Sequence, residues 1–359
     1  MAKKVLAILL LMFFVLSMAV GCAQKETNQP ANQTSKTDET SKADETAKTD
    51  GAEQTSGKKI KIGYVCNFMN AEWYQNVIKG AKHKAAQLGV DIDVADANND
   101  SAQQVSFAEN LMAQGIDVLA LTPVDAKTLK PVIESAKAKG IAVVTESNPV
   151  GGEATTVGAD NKAAGKMAGL WMGEYAKKNN MELKLLIVGF PNFEDCRLRV
   201  EGFKEGLEET GAKYTIKQEV DSQGLKEKAL AVSTDALTAN PDINAIFGIN
   251  DDSTQGAIQA YKSSGLDMSK LVAVGFGLEG SVGREALLNN TPIKAELAMF
   301  PEYVGALLVE SCVKAYNGEK LPERLVTPTT MITPDTYKDF YKQEGNDWML
   351  DFSAVEAIK

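Results

Sequence analysis

From Lys59 onward, short β-branched runs alternate with helical stretches, and this alternation limits the possible folds more than any other feature of the chain. The runs extend from KIKIGYV near the start to IKAELAM near the end and predict nine strands. Several intervening helices are expected to end at a glycine, as at Gly89, Gly115 and Gly140, because glycine adopts a left-handed cap at little cost. A repeated β–α order predicts an α/β fold with parallel sheets that helices cover on both faces.

The length and charge of the chain narrow its organisation and its partners. A chain of 359 residues is longer than most single domains, so we expect two lobes. Hydrophobic residues make up 44% of the sequence, which is ordinary for a globular protein with a real core. The formal net charge of -10 argues against a nucleic-acid partner, because such a partner would require a clustered basic surface.

The N-terminus carries the most specific local signal. Lys3 and Lys4 precede an apolar run over residues 5–20 that is short for a membrane span, and small residues follow it up to Cys22. The pattern resembles a bacterial lipobox. We therefore expect residues 1–21 to be a lipoprotein signal peptide and Cys22 to carry lipid, which anchors the chain to the membrane in the cell envelope, on the extracytoplasmic side. The alternative is an ordinary signal peptide followed by an unrelated cysteine.

The segment after Cys22 has a composition typical of disorder. Residues 23–57 contain no aromatic or large aliphatic side chain and carry the loose repeat TSKTDE, TSKADE, TAKTDG. Such a segment cannot bury enough apolar surface to offset the entropy of ordering. We therefore expect residues 22–57 to consist of the lipidated cysteine and a disordered tether.

The topology of a parallel sheet identifies candidate ligand residues. In such sheets the ligand lies beyond the carboxyl ends of the strands. This rule selects positions that are rich in carboxylates, amides and aromatic rings, and these groups suit a small polar ligand. The positions include Asn67, Trp73, Tyr74, Glu146, Ser147, Asn148, Asp221, Asn250, Gly277 and Met299.

The chain offers few residues for catalysis, and we expect no enzyme, no cofactor and no metal site. The only histidine, His83, lies between two lysines on a predicted helix and is expected at the surface, so no Ser-His-Asp triad can form. Cys66, Cys196 and Cys312 form no zinc motif and are interpreted as small buried side chains, with a disulfide between two of them as the open alternative. Residues 275–280 satisfy GxGxxG, but such turns are common in doubly wound sheets and this one comes late in the chain, which argues against a dinucleotide site.

Six sequence blocks share their order and spacing with one known family. They include IGYVCNFMNAEWYQNVIKGAKHKAAQLG, VGADNKAAGKMAG, RLRVEGFKEGL and NPDINAIFGINDDSTQGAIQA, and the six together fall within residues 59–335. The chain resembles the type 1 periplasmic binding proteins of sugar importers, the ribose-, galactose- and arabinose-binding group. The resemblance implies two Rossmann-like doubly wound lobes joined by a three-strand hinge. Residues 58–160 plus 300–331 are then the N-terminal lobe, and residues 161–299 plus 332–359 the C-terminal lobe.

The resemblance also implies roles for single residues. Trp73 and Tyr74 match an aromatic pair that stacks on the sugar ring in the family, and the alternative for both is a place in the core. Arg199 matches a ligand-binding arginine, with Arg197 as the competing candidate. Asn250 matches a ligand-binding asparagine.

This sequence departs from the family pattern at several hydroxyl-binding positions. Gly277 stands in place of Asp or Asn, Met299 in place of Gln, Ser147-Asn148 in place of an Asp-Arg or Asp-Asp pair, and Ser222 in place of an aromatic residue. Glu146 and Glu194 are candidates to compensate. Because a buried sugar hydroxyl without a partner is costly, we expect a ligand other than ribose, such as another monosaccharide, a polyol or a less hydroxylated molecule.

These features together predict a binding module rather than an enzyme. The ligand is expected to close two lobes about a hinge that includes Asp160, and the closed form of a monomer then docks on an ABC permease. One alternative is a ligand sensor that presents its closed form to a membrane signalling receptor. Another is a transcription regulator of the same fold, against which the export signal and the lack of a helix-turn-helix pattern argue.

Overall fold

The computed structural model describes residues 58–289, 291–345 and 347–358. The predicted signal peptide, Cys22 and the tether lie outside these residues. The strands are β1 (Lys61–Cys66), β2 (Asp91–Asp96), β3 (Val118–Leu121), β4 (Ala142–Glu146), β5 (Thr155–Gly158), β6 (Leu183–Gly189), β7 (Tyr214–Asp221), β8 (Ala245–Gly248), β9 (Val272–Gly277), β10 (Ile293–Ala298), β11 (Arg324–Val326), β12 (Thr330–Ile332), β13 (Tyr341–Glu344) and β14 (Asp347–Leu350). The helices are α1 (Glu72–Leu88), α2 (Ser101–Ala113), α3 (Ala126–Ala138), α4 (Asn161–Lys178), α5 (Glu194–Glu209), α6 (Lys226–Ala239), α7 (Asp251–Ser263), α8 (Ser281–Leu288), α9 (Pro301–Tyr316), α10 (Tyr337–Phe340) and α11 (Phe352–Glu356).

Two six-stranded sheets form the centres of two lobes, which confirms the predicted α/β fold. The first sheet has the order β11-β5-β4-β3-β1-β2, and all its neighbouring strands are parallel. The second has the order β12-β10-β9-β8-β6-β7, and β12 alone runs antiparallel to its neighbour. The nine predicted strands are present as β1–β4 and β6–β10. The sequence pattern misses the short strands β5, β11 and β12 of the two sheets and the hairpin β13–β14.

The chain passes between the two sheets three times, after β5, after β10 and after β11. Asp160 lies at the first passage, where its carboxylate caps α4 by accepting from the backbone N–H groups of Lys162 (3.1 Å) and Ala163 (2.9 Å). The predicted lobe boundaries and the hinge role of Asp160 stay predictions.

Helices cover both faces of each sheet. In the first lobe α1 packs beside α9, and α2 packs beside α3; in the second, α4 packs beside α5, and α6 beside α7. Gly89, Gly115 and Gly140 follow helices with positive φ angles of 66°, 82° and 71°, as predicted. Among the described residues, no helix combines the length and apolarity that a membrane crossing requires. The three described cysteines are buried and form no disulfide, which agrees with their interpretation as small apolar side chains.

Residues 333–358 add a small C-terminal segment that touches both lobes. Its hairpin, β13–β14, and its helices contribute Tyr337 and Tyr341 to the core of the second lobe, where their rings stack 4.6 Å apart. Phe352 reaches α1 of the first lobe and stacks on His83 at 5.7 Å. His83 is exposed at the surface, as expected, and its ring also packs against this C-terminal segment.

Candidate functional site

The aromatic pair lies in the first turn of α1, just beyond the end of β1. Trp73 is half-buried and packs against the apolar cores of both lobes, so its indole bridges the cleft between them. Tyr74 packs against the first lobe, and its hydroxyl accepts a 2.9 Å hydrogen bond from the side-chain amide of Asn67. Burial raises the pKa of Tyr74 well above its ordinary value, so the hydroxyl stays protonated and can also donate.

Glu146 ends β4 as a buried carboxyl group with only 1% of its surface exposed. It accepts a 2.9 Å hydrogen bond from the hydroxyl of Thr122, which in turn lies 2.7 Å from the hydroxyl of Tyr64. Burial raises the pKa of Glu146 to about 7. The group therefore exchanges a proton near neutral pH and can offer a donor or an acceptor to a polar ligand.

The two residues after Glu146 turn the chain sharply at the cleft. Ser147 has a φ of 67°, in the left-handed region, and its hydroxyl donates to the carboxylate of Asp195 in the other lobe at 2.9 Å. The backbone N–H of Asn148 donates to the carbonyl of Glu146 at 2.9 Å. Ser147 thus contributes to contact between the lobes, with Asp195 as a partner that the sequence analysis did not name.

Arg199 is held in place by two hydrogen bonds and a ring. Its Nε donates to the Asn161 side chain and one terminal nitrogen donates to the Ile249 carbonyl, both at 2.8 Å. Its guanidinium carbon lies 4.6 Å from the centre of the Phe276 ring, at the end of β9. These two bonds use two of the five N–H donors of an arginine. The guanidinium of Arg199 is therefore fixed in position while its other donors stay available. Arg197 instead pairs at the surface with Glu201 at 2.5 Å.

The side chains of two further predicted ligand residues form hydrogen bonds with the backbone of nearby loops and helix ends. Asn250 is the N-cap of α7, where its side-chain oxygen accepts from the Ser253 N–H at 2.9 Å and its nitrogen donates to the Gly224 carbonyl at 3.1 Å. Asp221 accepts from the Gln223 N–H at 2.9 Å at the end of β7. Both side chains organise the rim of the second lobe, and their ligand roles stay predictions.

Three of the positions that depart from the family pattern, Met299, Ser222 and Gly277, are buried in the second lobe. Met299 is 4% exposed and packs in the apolar core, and its N–H donates to the carbonyl of Gly277 at 3.0 Å. Ser222 is fully buried and donates to the Gly189 carbonyl at 2.9 Å. Gly277 has a φ of 117°, a conformation that favours glycine.

Three carboxylates at the cleft were missed by sequence reasoning. Asp195 is buried at the start of α5, whereas Glu194, the residue considered as compensating, is exposed and lies 3.8 Å from Arg197. Glu72 reaches across to α8, and Glu279 follows the end of β9. For Asp195 the available signal was helical periodicity, which points residues 194 and 195 in different directions around α5.

A buried pair of carboxyl groups, those of Asp251 and Glu296, lies next to the loop that follows β9. Glu296 is fully buried on β10, and Asp251 begins α7 with 3% exposure and accepts the Glu279 N–H at 2.8 Å. Cβ atoms at Gly275 and Gly283 would collide with these carboxylates, so both glycines make room for them. Within the described residues, no group other than the Asp251 carboxyl offers the Glu296 oxygens a hydrogen bond. Burial raises the pKa of both carboxyls; nearby Glu72 raises that of Asp251 further, and Asp251 raises that of Glu296.

Comparisons with known proteins agree with this geometry. A sequence profile for the periplasmic binding protein domain matches residues 62–320. The ribose import binding protein of Bacillus subtilis is 30% identical over 278 residues, which cover 77% of this chain and 88% of that protein. A solute binding protein of an ABC transporter from Actinobacillus succinogenes, solved with D-allose, has a TM-score of 0.72 at 23% identity, covering 79% of this chain and 100% of that one. One from Bacillus halodurans, solved with myo-inositol, has a TM-score of 0.69 at 22% identity, covering 80% and 99%. At these identities the two structures show the shared fold.

The buried pair predicts that stability falls as pH rises. Between the ordinary and the raised pKa, each of these carboxyl groups is protonated in the folded state and ionised in the unfolded one. Its contribution to the free energy of unfolding is therefore complete below the ordinary carboxyl pKa and is lost as pH rises through the raised pKa. We expect the urea midpoint of the protein to fall between about pH 5 and pH 8. Glu296→Gln removes one ionisable group at nearly constant volume, so its midpoint should fall less steeply and exceed that of the unchanged protein at the upper end.

The matched control is Glu208→Gln on the exposed face of α5, which should keep the slope of the unchanged protein. Equal slopes in Glu296→Gln and in the unchanged protein would contradict the assignment of the raised pKa to this pair.

Proposed function

Since this chain belongs to the periplasmic binding protein family, we propose that it is the extracytoplasmic substrate-binding lipoprotein of an ABC importer and takes a sugar or polyol between its two lobes. The observation that carries this proposal is that the cleft combines an aromatic bridge, Trp73, with the guanidinium of Arg199 held at the end of β9 and with buried carboxyl groups from both lobes. An aromatic face suits the C–H face of a sugar ring, and charged acceptors and donors suit its hydroxyls. A relative named for ribose import, and solute binding proteins solved with D-allose and with myo-inositol, support the ligand class.

Direct contacts between the lobes support a closing mechanism. Glu72 of the first lobe accepts from the backbone N–H of Ser281 at 2.6 Å and from its hydroxyl at 2.7 Å. Asn76, one turn later on α1, donates to the Glu279 carbonyl at 2.7 Å. All these groups lie on opposite lobes, so they can meet only when the lobes are together. The contacts make closure a state with its own stabilising bonds, which a ligand can favour further.

The N-terminal sequence supports a membrane location through lipid. The basic residues, the short apolar run and Cys22 are the parts of an export and acylation signal. A polar stretch between an anchored cysteine and the folded lobes would let the lobes reach a permease in the same membrane. We propose the ABC permease as the partner and the outer face of that membrane as the location.

The function proposal makes Arg199→Ala the most informative ligand variant. Loss of a desolvated, charged donor typically weakens binding by about tenfold to a hundredfold. The measurement is calorimetry with D-ribose, D-allose and myo-inositol, using the tightest of the three as the reference ligand. Arg197→Ala is the matched control and should bind within about twofold of the unchanged protein, because its guanidinium pairs at the surface. A chain that binds none of these polyols, or an Arg199→Ala variant with full affinity, would count against the proposal.

Closure predicts a role for Glu72 that does not require ligand contact. Glu72→Ala removes acceptors that cap the N-terminus of α8 across the cleft, so the open form should gain population and affinity should fall by about tenfold. X-ray scattering should show that the radius of gyration of the unchanged protein falls at saturation with the reference ligand, and that Glu72→Ala has the larger radius when ligand-free. Glu134→Ala, an exposed carboxylate on α3, is the control and should match the unchanged protein. A radius that ligand does not change would exclude the closing mechanism.

The anchor proposal has its own test. Mass spectrometry of the full chain, expressed with its leader in a bacterium, should show an acylated N-terminal cysteine at position 22. Cys22→Ser should move the protein from the membrane fraction to the soluble fraction. An unmodified mature N-terminus at another residue would show that the leader is an ordinary signal peptide.

A further inference from the structure

The end of β9 lacks a side chain at a position that faces the cleft. Gly277 has no Cβ, and its φ of 117° is one that side chains rarely adopt. A Cβ placed there would lie 2.6 Å from Cγ, 3.0 Å from Oε1 and 3.2 Å from Cδ of Glu279. The side chain of Glu279 therefore folds back and occupies the space that a residue at 277 would use.

The backbone around Glu279 is fixed from both lobes. Leu278, the preceding residue, has a φ of 47° and is 2% exposed, so the turn is left-handed and anchored in the core. The Glu279 N–H donates to Asp251 at 2.8 Å, and its carbonyl accepts from Asn76 of the first lobe at 2.7 Å. With both backbone groups bonded, the direction of the side chain is set by the fold rather than by a loose loop.

The charges around Glu279 place it with the ligand residues. Burial, followed by the Asp251 carboxylate, raises the pKa of Glu279, and Arg199 supplies the positive charge that opposes them. Glu279 also acts on the hydroxyl of Tyr74 from across the cleft. Arg199 is close enough to act on Glu279 electrostatically and has N–H donors to spare, so a ligand hydroxyl can bond to the oxygens of Glu279 and accept from Arg199.

We propose that Glu279 is a ligand-contacting residue that determines specificity, and that its carboxylate replaces, from two positions later, the side chain missing at Gly277. This inference rests on the proposed function and names the group that receives a hydroxyl of the sugar or polyol at the end of β9. Glycine at 277 is then a requirement of the site, because a side chain there would displace the carboxylate.

The test compares Glu279→Gln with the unchanged protein in calorimetric titrations with D-ribose, D-allose and myo-inositol. Glutamine keeps the shape but replaces one carboxyl oxygen by an NH2 group, which cannot accept a hydrogen bond from a ligand hydroxyl, so affinity for the reference ligand should fall about tenfold or more. The urea midpoint without ligand should be equal or higher, because a buried carboxylate among like charges has been removed. Glu208→Gln, an exposed carboxylate near the end of α5, is the matched control and should bind normally.

Three results would overturn the inference. Affinity of Glu279→Gln within about twofold of the unchanged protein would show that the carboxylate does not contact ligand. A loss of affinity accompanied by a fall in the urea midpoint would assign Glu279 a structural role instead. If the unchanged protein binds none of the three compounds, the proposed function is overturned, and this inference with it. If the unchanged protein binds normally and Glu279→Gln binds equally well, only this inference is overturned.

Discussion

The carboxylate of Glu72 meets the N-terminus of α8 across the cleft, and the geometry of the site depends on this contact. The first N–H groups of a helix have no partner within the helix, and the helix dipole favours a negative charge beside them. Here the acceptor comes from the other lobe and from the residue directly before Trp73. The structure therefore has a helix of one lobe capped from the other lobe, and the neighbouring Trp73 packs against the core of the lobe that carries this helix.

The closed cleft contains more acidic than basic side chains. Glu146, Asp195 and Glu279 approach it, and Arg199 is the guanidinium placed among them. A charge removed from water needs a hydrogen bond or a proton, because its desolvation is otherwise too costly. The protein meets this need with the Thr122 hydroxyl at Glu146 and the Ser147 hydroxyl at Asp195. Hydroxyl groups are thus the partners that Glu146 and Asp195 already use, which supports the proposed polyhydroxylated ligand.

The sequence predicts the long elements well because their signal is hydrophobic periodicity. Nine strands were visible as β-branched runs, and the rule that ligands bind at the carboxyl ends of strands led to Trp73, Glu146 and the end of β9. What the pattern could not show depends on contacts between distant parts of the chain. The edge strand β11 exists because β5 offers it a partner, and Asp195 rather than Glu194 is buried because of the phase of α5 against the other lobe. For Asn250, a local rule was available, since asparagine before a helix is a preferred N-cap.

The transfer of residue roles by position failed to find Glu279 for a reason that lies in the backbone. Transferring the role of a residue from one sequence to another assumes that side chains at matching positions share the same backbone position and the same direction. At Gly277 the positive φ changes the direction of the chain, and Leu278 continues the left-handed turn into the core. The turn brings the side chain two residues later back beside the strand end, where its longer reach compensates for the later start. The proposed site therefore takes from Glu279 an acceptor that position 277 does not supply, and a comparison of sequences position by position shows only the loss at 277.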